Sequence, residues 1–151
     1  MSHVLFPEAD VTLWVDCGLV PILDPAQLAE TYLADHDLCT FRHSRRDCAY
    51  AEAEACIRMD KDDPEVIRRQ MLRYHRVGYP YHNGLAETGA LLRRRKDLVN
   101  VFNETWCEAI DKGSVRDQLS FDFCCWNLGL RYSVFPGKVT DGRPNFQWRR
   151  A

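Results

Sequence analysis

The stretch that decides the fold is VTLWVDCG, residues 11–18. Apolar residues at positions 11, 13 and 15 alternate with other residue types up to Asp16, which is the period of a half-buried strand. Two interpretations of Asp16 are open. The carboxylate either ends the strand before a turn at Gly18, or it binds a ligand from the tip of a sheet strand.

Strands and helices alternate along the rest of the chain. Strands are expected at 20–23, 38–43, 90–95 and 131–135, and helices are expected to begin at Asp24-Pro25, near residue 45, at Asp63-Pro64, near Leu98 and after Ser114. This alternation predicts an α/β fold. We expect a mixed, mostly parallel sheet with flanking helices.

Three connecting segments complete this prediction. Residues 78–89, rich in Gly, Pro and Asn, are expected to form a loop. Ser114 and Asp117 have the spacing of a capping box, ahead of a helix that is expected to be buried on nearly all sides. Residues 136–151 read as a polar, basic tail.

Length and charge exclude several classes of protein. With 151 residues and 46% hydrophobic residues, the chain is expected to form one domain over 1–151. Its 20 basic and 22 acidic side chains give a net charge of −2, so nucleic acid is not an expected partner. No apolar run reaches the roughly eighteen residues of a membrane span, and no secretory signal is visible, so a cytoplasmic protein is expected.

The seven cysteines are expected to be reduced and mostly buried as small apolar side chains. No Cys-x-x-Cys motif occurs, and this disfavours a structural zinc site.

Polar residues fall at the ends of these elements in four groups. They are Asp16 with Cys17 and Gly18; His43 with Arg46 and Asp47; Glu87 with Thr88; and Arg116 with Asp117 and Gln118. In open α/β sheets, ligands bind outside the carboxyl ends of parallel strands. If strands 11–16 and 38–43 are parallel neighbours, Asp16 and His43 emerge on the same side.

Each of these residues also has a purely structural interpretation. Asp47 can cap the helix that follows it, and Asp117 can complete a capping box. His43 can be a surface histidine at a strand end, and Glu87 a solvated loop carboxylate. The grouping at element ends that could face one cleft favours a functional site.

Seven segments resemble one known family. They are LWVDCG, RHSRRDCAYAEAEACI, DPEVIRRQMLRYHRVGYP, GLAETGALLRRR, FNETWCEAI, SVRDQLSFDFCCWNLGL and VFPG, in this order. Together they look like the glycosyltransferase-like domain family of the TOD/MUCI type, whose members resemble GT-A transferases. The resemblance implies transfer of a sugar from a nucleotide-sugar donor to an acceptor.

The same resemblance implies roles for the grouped residues. Asp16 would bind a divalent metal, Mn²⁺ or Mg²⁺, and the donor diphosphate, and Gly18 would let the backbone approach the sugar. Glu87 and Asp117 would be catalytic, one of them as a general base. The remaining substrate-binding residues would be His43, Arg46, Asp47, Thr88, Arg116 and Gln118.

The resemblance also defines alternatives. In this chain Cys17 and Gly18 follow Asp16, where the usual GT-A signature has a second aspartate two positions on. Relatives carry a nucleotide-binding half ahead of strand 11–16. A truncated GT-A-like domain with an unpaired strand edge is therefore expected. Such an edge can pair with a second copy of the chain or with a separate N-terminal partner chain. A non-catalytic remnant, half of a split transferase, and a thiol- or zinc-dependent hydrolase using Cys17 or Cys48 with His43 are the competing hypotheses.

Overall fold

A computed structural model describes residues 2–140 and 144–149. The strands are β1 Val11–Val15, β2 Leu19–Pro21, β3 Leu38–Arg42, β4 Ala86–Arg94, β5 Ser133–Phe135 and β6 Phe146–Trp148. The helices are α1 Ser2–Leu5, α2 Pro25–Tyr32, α3 Ala49–Arg58, α4 Pro64–Arg76, α5 Asp97–Lys112 and α6 Gln118–Leu128. The predicted α/β class is confirmed.

The main sheet has the strand order β1-β4-β3-β5. β4 is antiparallel to both of its neighbours, and β5 is parallel to β3. The sheet is therefore mixed, as predicted, but mostly antiparallel rather than mostly parallel. The reason lies in the connection: the two helices α3 and α4 follow β3 and return the chain to the end of the sheet where β3 stops.

β4 begins earlier than predicted, at Ala86, and contains an irregularity. Its register against β3 jumps between the pairs Thr40–Leu91 and Phe41–Glu87. The buried Thr40 hydroxyl lies 2.9 Å from the carbonyl oxygen of Ala90 and 3.2 Å from that of Glu87, so it supplies a donor where the regular ladder is broken. Glu87 thus belongs to a strand and not to the predicted loop.

The two faces of the sheet are covered by different elements. On one face, Cys39 and Phe41 of β3 pack with Leu28 of α2. On the other face, Leu38 packs with Phe102 of α5 and with residues of α6. Six of the eleven residues of α6 are buried, whereas Trp126 and Asn127 near its end are exposed, so the predicted burial on nearly all sides holds for most of the helix but not for its last turn. Helices α3 and α4 pack against α6 beyond the sheet.

The segment predicted as a tail contains a strand. β6 pairs antiparallel with β2, and its first residue, Phe146, is fully buried against the rings of Phe41 and Phe135. Residues 141–143, 150 and 151 of the predicted tail lie outside the described residues.

β1 is an edge strand of the main sheet, and its Trp14 is 57% exposed. The expected strand edge is therefore present, while self-association through it stays a prediction. No helix in the described part of the chain is long and apolar enough to cross a bilayer.

All seven cysteines are free, and five of them are buried, which agrees with the prediction that most are small apolar side chains of the core. Burial raises the pKa of the Cys124 thiol to about 12. A thiol with such a pKa is protonated at neutral pH and behaves as an apolar side chain.

Candidate functional site

Because β4 lies between β1 and β3 and is antiparallel to both, three chain segments meet at one end of the sheet. β1 and β3 end there, and β4 begins there between them. The backbone N–H of Asp16 donates to the carbonyl oxygen of Gly89 at 2.8 Å, and that of His43 donates to Leu85 at 2.8 Å. Asp16 and His43 therefore emerge on the same side, as predicted, although β4 separates their strands.

Asp117 connects this end of the sheet to the start of α6. One of its carboxylate oxygens accepts a hydrogen bond from the Thr88 hydroxyl at 2.5 Å, and the other accepts one from the backbone N–H of Gln118 at 2.9 Å. The Trp106 indole N–H donates to the Asp117 carbonyl oxygen at 3.2 Å. Asp117 thus both caps α6 and points its side chain toward β4.

Asp16 and Asp117, which we call the carboxylate pair, are close enough for the charge of Asp117 to act on the Asp16 carboxyl. Burial raises the pKa of the Asp16 carboxyl, a hydrogen bond from the Trp14 side chain opposes that rise, and the charge of Asp117 adds to it. Two like charges in a partly desolvated place are unfavourable unless a cation or donor is added. The carboxylate pair is the part of the site best suited to hold positive charge.

Gly89 provides the space that Asp16 occupies. A Cβ added to Gly89 would lie 2.9 Å from a methyl group of Val139 and 3.3 Å from Asp16 Oδ2. The strand therefore has no room for a side chain at this position. This gives a structural reason for the glycine inside β4.

We expect Gly89→Ala to destabilise the fold by about 1–3 kcal/mol, because Val139 and the Asp16 carboxylate must both move. Urea unfolding followed by circular dichroism measures this loss. The control is Gly78→Ala, where the added methyl group meets nothing within 4 Å and only the strain of a φ of +80° remains. If Gly89→Ala unfolds at the same urea concentration as wild type, the proposed crowding is absent.

A second group of polar side chains lies around Glu52, a buried residue of α3 that is 4% exposed. The guanidinium of Arg46 donates to Glu52 Oε2, and the Cys56 thiol donates to Glu52 Oε1 at 3.6 Å. Sequence reasoning missed Glu52. The sequence feature that could have indicated its burial is its position on the apolar stripe of α3, one helical turn before Cys56.

Both ring nitrogens of His43 lie near donors of the following residues. Nδ1 accepts the backbone N–H groups of Arg45 and Arg46 at 3.2 and 3.0 Å, and Nε2 lies 3.5 Å from a guanidinium nitrogen of Arg46. Nε2 lies 3.8 Å from Glu52 Oε2. Among the described residues neither ring nitrogen contacts Cys17 or Cys48, and the thiol–imidazole pair of the hydrolase hypothesis is not formed.

Two buried polar atoms of the site lack a hydrogen-bond partner: Glu87 Oε2 and Arg116 Nε. Burial raises the pKa of the Glu87 carboxyl, the nearby His43 opposes this, and Glu52 adds to it. Unsatisfied buried donors and acceptors are costly, and native proteins keep few of them. A polar substrate could supply a hydrogen-bond acceptor for Arg116 and a hydrogen-bond donor for Glu87.

Three of the predicted site residues have other partners in the structure. Asp47 pairs with His82 on the surface, with 2.8 Å between its Oδ1 and Nδ1 of the ring, and α3 begins after Cys48 without a side-chain cap. Gly18 has a φ of +96°, and its carbonyl oxygen accepts the N–H of Arg149 at 2.7 Å. Gln118 lies at the start of α6, where its backbone N–H bonds to Asp117.

The predicted capping box before α6 does not form. The helix is capped by Asp117 itself, one position before Gln118. The Ser114 hydroxyl instead donates to Asp62 Oδ2 at 2.6 Å. This hydrogen bond connects the segment between α5 and α6 to the segment just before α4.

Within residues 2–140 and 144–149, no group of three or more His, Cys, Asp or Glu side chains is arranged to hold a metal. A divalent ion at the carboxylate pair would therefore take its remaining ligands from substrate and water.

Comparison with known sequences gives the family. The sequence profile described as TOD1/MUCI70, glycosyltransferase-like domain, matches residues 1–138. The chain belongs to this family. The resemblance seen in its seven segments is thereby confirmed, and the fold described above is that of a TOD1/MUCI70 glycosyltransferase-like domain.

Two curated relatives, both from Arabidopsis thaliana, have related sequences. The probable hexosyltransferase MUCI70 is 30% identical over 131 residues, which are 80% of this chain and 22% of the relative. The alkaline ceramidase TOD1 is 29% identical over 134 residues, 82% of this chain and 29% of the relative. The chain thus spans less than a third of the length of either relative. No solved structure matches it at a significant level.

Proposed function

We propose that this TOD1/MUCI70 domain is a glycosyltransferase that moves a hexosyl group from a nucleotide-sugar donor to an acceptor hydroxyl with the help of a divalent metal. The observation that carries the proposal is the carboxylate pair Asp16–Asp117, together with a buried, unpartnered carboxylate oxygen on Glu87 of β4, which is close to His43 and Glu52. The family description and the name of the hexosyltransferase relative support it.

The carboxylate pair fits a hard divalent cation. Mg²⁺ and Mn²⁺ prefer oxygen ligands, and Mg²⁺ is commonly held by one or two carboxylates together with substrate phosphates and water. Asp16 and Asp117 would supply the two carboxylates, and their mutual repulsion would be relieved. When bound, such a metal neutralises charge on the departing nucleoside diphosphate.

Glu87 is the better candidate for the general base. In the transfer, the acceptor oxygen bonds to the sugar carbon, the bond from that carbon to the diphosphate breaks, and the acceptor proton passes to the base. Glu87 has a raised pKa and a free oxygen, which suit proton uptake. The two carboxylate oxygens of Asp117 already accept hydrogen bonds from the Thr88 hydroxyl and the Gln118 backbone N–H, so neither is free.

Two further side chains suit the donor. Arg116 has a buried Nε without a partner, so it would donate to a phosphate oxygen, whereas Arg46 is already paired with Glu52. The exposed Trp14 indole beside Asp16 offers a flat surface against which a sugar ring can pack.

Donor binding is the direct test. We would titrate UDP-hexoses and GDP-hexoses by calorimetry with Mn²⁺ and again with EDTA, and follow thermal unfolding in the same solutions. A donor at 100 times its dissociation constant should stabilise the protein by about 2.7 kcal/mol, with the effect lost in EDTA. If no nucleotide or nucleotide sugar binds under either condition, the transferase proposal fails.

Glu87→Gln is expected to lower kcat by about 10²–10⁴-fold, because an amide cannot accept the acceptor's proton. In wild type the base must be ionised, so activity should fall on the acid side with a midpoint above 4.5, the ordinary pKa of a glutamate. A pH–rate profile measures both effects. An unchanged acid limb in Glu87→Gln would assign the base to another group.

The same substitution has an expected effect on stability. A carboxyl with a raised folded-state pKa favours folding below its unfolded pKa, and this contribution is lost as pH rises through the folded value. Glu87→Gln should therefore be more stable than wild type at pH 7, by less than about 1 kcal/mol because Glu87 is partly solvated. The difference should vanish below pH 4.5, the ordinary glutamate value.

A second candidate is a non-catalytic binding module, or one half of a split transferase. The edge position of β1, with its exposed Trp14, favours this alternative because an unpaired edge can add a strand from another chain. Sedimentation at increasing protein concentration tests it. A protein that stays monomeric and binds a donor alone would support the transferase and remove the split arrangement. The ceramidase name of the second relative implies amide hydrolysis, for which nucleotide-sugar binding is not expected.

A further inference from the structure

A groove of about 610 Å³ lies beside β3 and β5, next to the C-terminal half of α6. Its volume is within the range of small-molecule sites, roughly 300–1,000 Å³. Asp16, Glu87 and Asp117 do not line it, so the groove is separate from the carboxylate pair. The proposed transferase function leaves it without a role.

The floor of the groove is a buried carboxylate whose bonds are already made. Asp122, which is 3% exposed, accepts the backbone N–H of Ala86 at 2.6 Å and the Tyr132 hydroxyl at 2.5 Å. Both of its oxygens are thus occupied by groups other than arginine. Asp122 therefore offsets the positive charge of the groove only through space.

Two arginines on the groove wall keep unused donors. Arg42 at the end of β3 acts on Asp122 electrostatically, but within the described residues neither Arg42 nor Arg131 makes a side-chain hydrogen bond or an ion pair. Each guanidinium is permanently charged and carries five N–H donors in a planar fork that matches a carboxylate or phosphate. Two such groups bordering one concave surface give it a net attraction for anionic oxygen.

The groove also has an aromatic wall. Trp126 of α6 is 37% exposed, and its ring is held edge-on by Tyr79, with 5.4 Å between ring centroids. The Asn83 side chain lines the same groove and can donate or accept a hydrogen bond. An indole beside an amide offers a packing surface and a polar contact to a hydroxylated ring.

We propose that this groove binds a small anionic sugar, in which a phosphate or carboxylate contacts Arg42 and Arg131 while the sugar ring packs on Trp126. Neither half of this ligand suffices alone. A bare anion would leave the indole unused, and a neutral sugar would leave both guanidiniums without an acceptor.

The experiment follows the four tryptophan indole N–H signals of ¹⁵N-labelled protein during titration. Trp126→Phe assigns the signal of Trp126. The probes are glucose 6-phosphate, glucuronate, neutral glucose and inorganic phosphate, all with EDTA and without nucleotide, so that the outcome is independent of donor transfer.

Glucose 6-phosphate or glucuronate is expected to shift the Trp126 signal in a saturable way, and comparison of the two identifies the preferred anionic group. Arg42→Gln and Arg131→Gln should each raise the dissociation constant about tenfold or more, as expected for loss of a charge-assisted hydrogen bond. The matched control is Arg58→Gln, an exposed arginine of α3 outside the groove, which should bind like wild type.

Three outcomes would overturn the proposal. The first is that neither anionic sugar shifts the Trp126 signal. The second is that the Arg42→Gln and Arg131→Gln variants, checked as folded by circular dichroism, bind as tightly as wild type, and the third is that inorganic phosphate binds as tightly as glucose 6-phosphate, which would make the groove a general anion site.

Discussion

Replacing Asp16 with asparagine is expected to lower kcat/KM for metal-dependent sugar transfer by at least about 100-fold, or about 2.7 kcal/mol of transition-state stabilisation. Asparagine has nearly the same shape but no charge, so its amide oxygen would be a much weaker ligand for a divalent cation shared with Asp117. The fold should be retained, because the Asp16 contact with Gly89 in β4 is made by the backbone N–H.

Calorimetric binding of the donor with Mn²⁺, and initial rates at several Mn²⁺ concentrations, measure this effect. Asp111→Asn, at an exposed position of α5, removes the same charge far from the carboxylate pair and should behave like wild type. Because burial raises the pKa of Asp16, loss of its charge should not lower stability at pH 7. Equal Mn²⁺ dependence in Asp16→Asn and wild type would remove Asp16 from the metal site.

Asp122→Ala is expected to have the largest effect on stability, a loss of about 3 kcal/mol or more. The substitution leaves two donors without an acceptor in the interior: the backbone N–H of Ala86 and the hydroxyl of Tyr132. These two bonds join α6 to the start of β4 and to the segment before β5. The loss therefore combines unsatisfied donors with a weakened connection between helix and sheet.

The partner substitution separates these contributions. Tyr132→Phe removes one donor and leaves Asp122 bonded to Ala86, so a smaller loss of about 1 kcal/mol is expected. In the double variant, Tyr132 no longer needs an acceptor, and the combined loss should be smaller than the sum of the two single losses. Urea unfolding of the four proteins gives these free energies. Strict additivity would show that the Asp122–Tyr132 bond contributes nothing.

The order of elements could be predicted from the sequence because it depends on local patterns. The alternation in residues 11–16 gave β1, and Asp24-Pro25 and Asp63-Pro64 gave the starts of α2 and α4. The polar residues at the ends of β1 and β3 were also visible. Their emergence on the same side followed from the strands having the same direction.

The position of β4 could not be predicted from these patterns. Residues 78–89 contain turn formers, yet Ala86 to Gly89 belong to the strand that pairs with both β1 and β3. Where the register against β3 is irregular, the Thr40 hydroxyl donates a hydrogen bond to the carbonyl oxygen of Ala90. The strand β6 was missed because it lies in a segment that reads as a polar, basic tail, and its pairing with β2 depends on burial of Phe146 against two distant rings.

The candidate site divides in the same way. Asp16, Glu87, Thr88, Arg116 and Asp117 were predicted as site residues because charged or polar residues stood at element ends, and their roles stay predictions. Glu52 was missed because a glutamate on an apolar stripe gives no local sign of a buried partner such as Arg46. Asp47 was grouped with the site by its place in the sequence, but its side chain turns to His82.

The sequence by itself determined the family, the α/β class, the strand that ends in Asp16 and the chemical types available at the sheet end, because these follow from residue identity and short-range periodicity. Only the tertiary structure decided that β4 runs antiparallel between β1 and β3, that the charge of Asp117 acts on Asp16, and that Arg42 and Arg131 border one groove. Each of these depends on segments that are far apart in the chain, and its free energy depends on burial and charge that arise only when the whole core is packed.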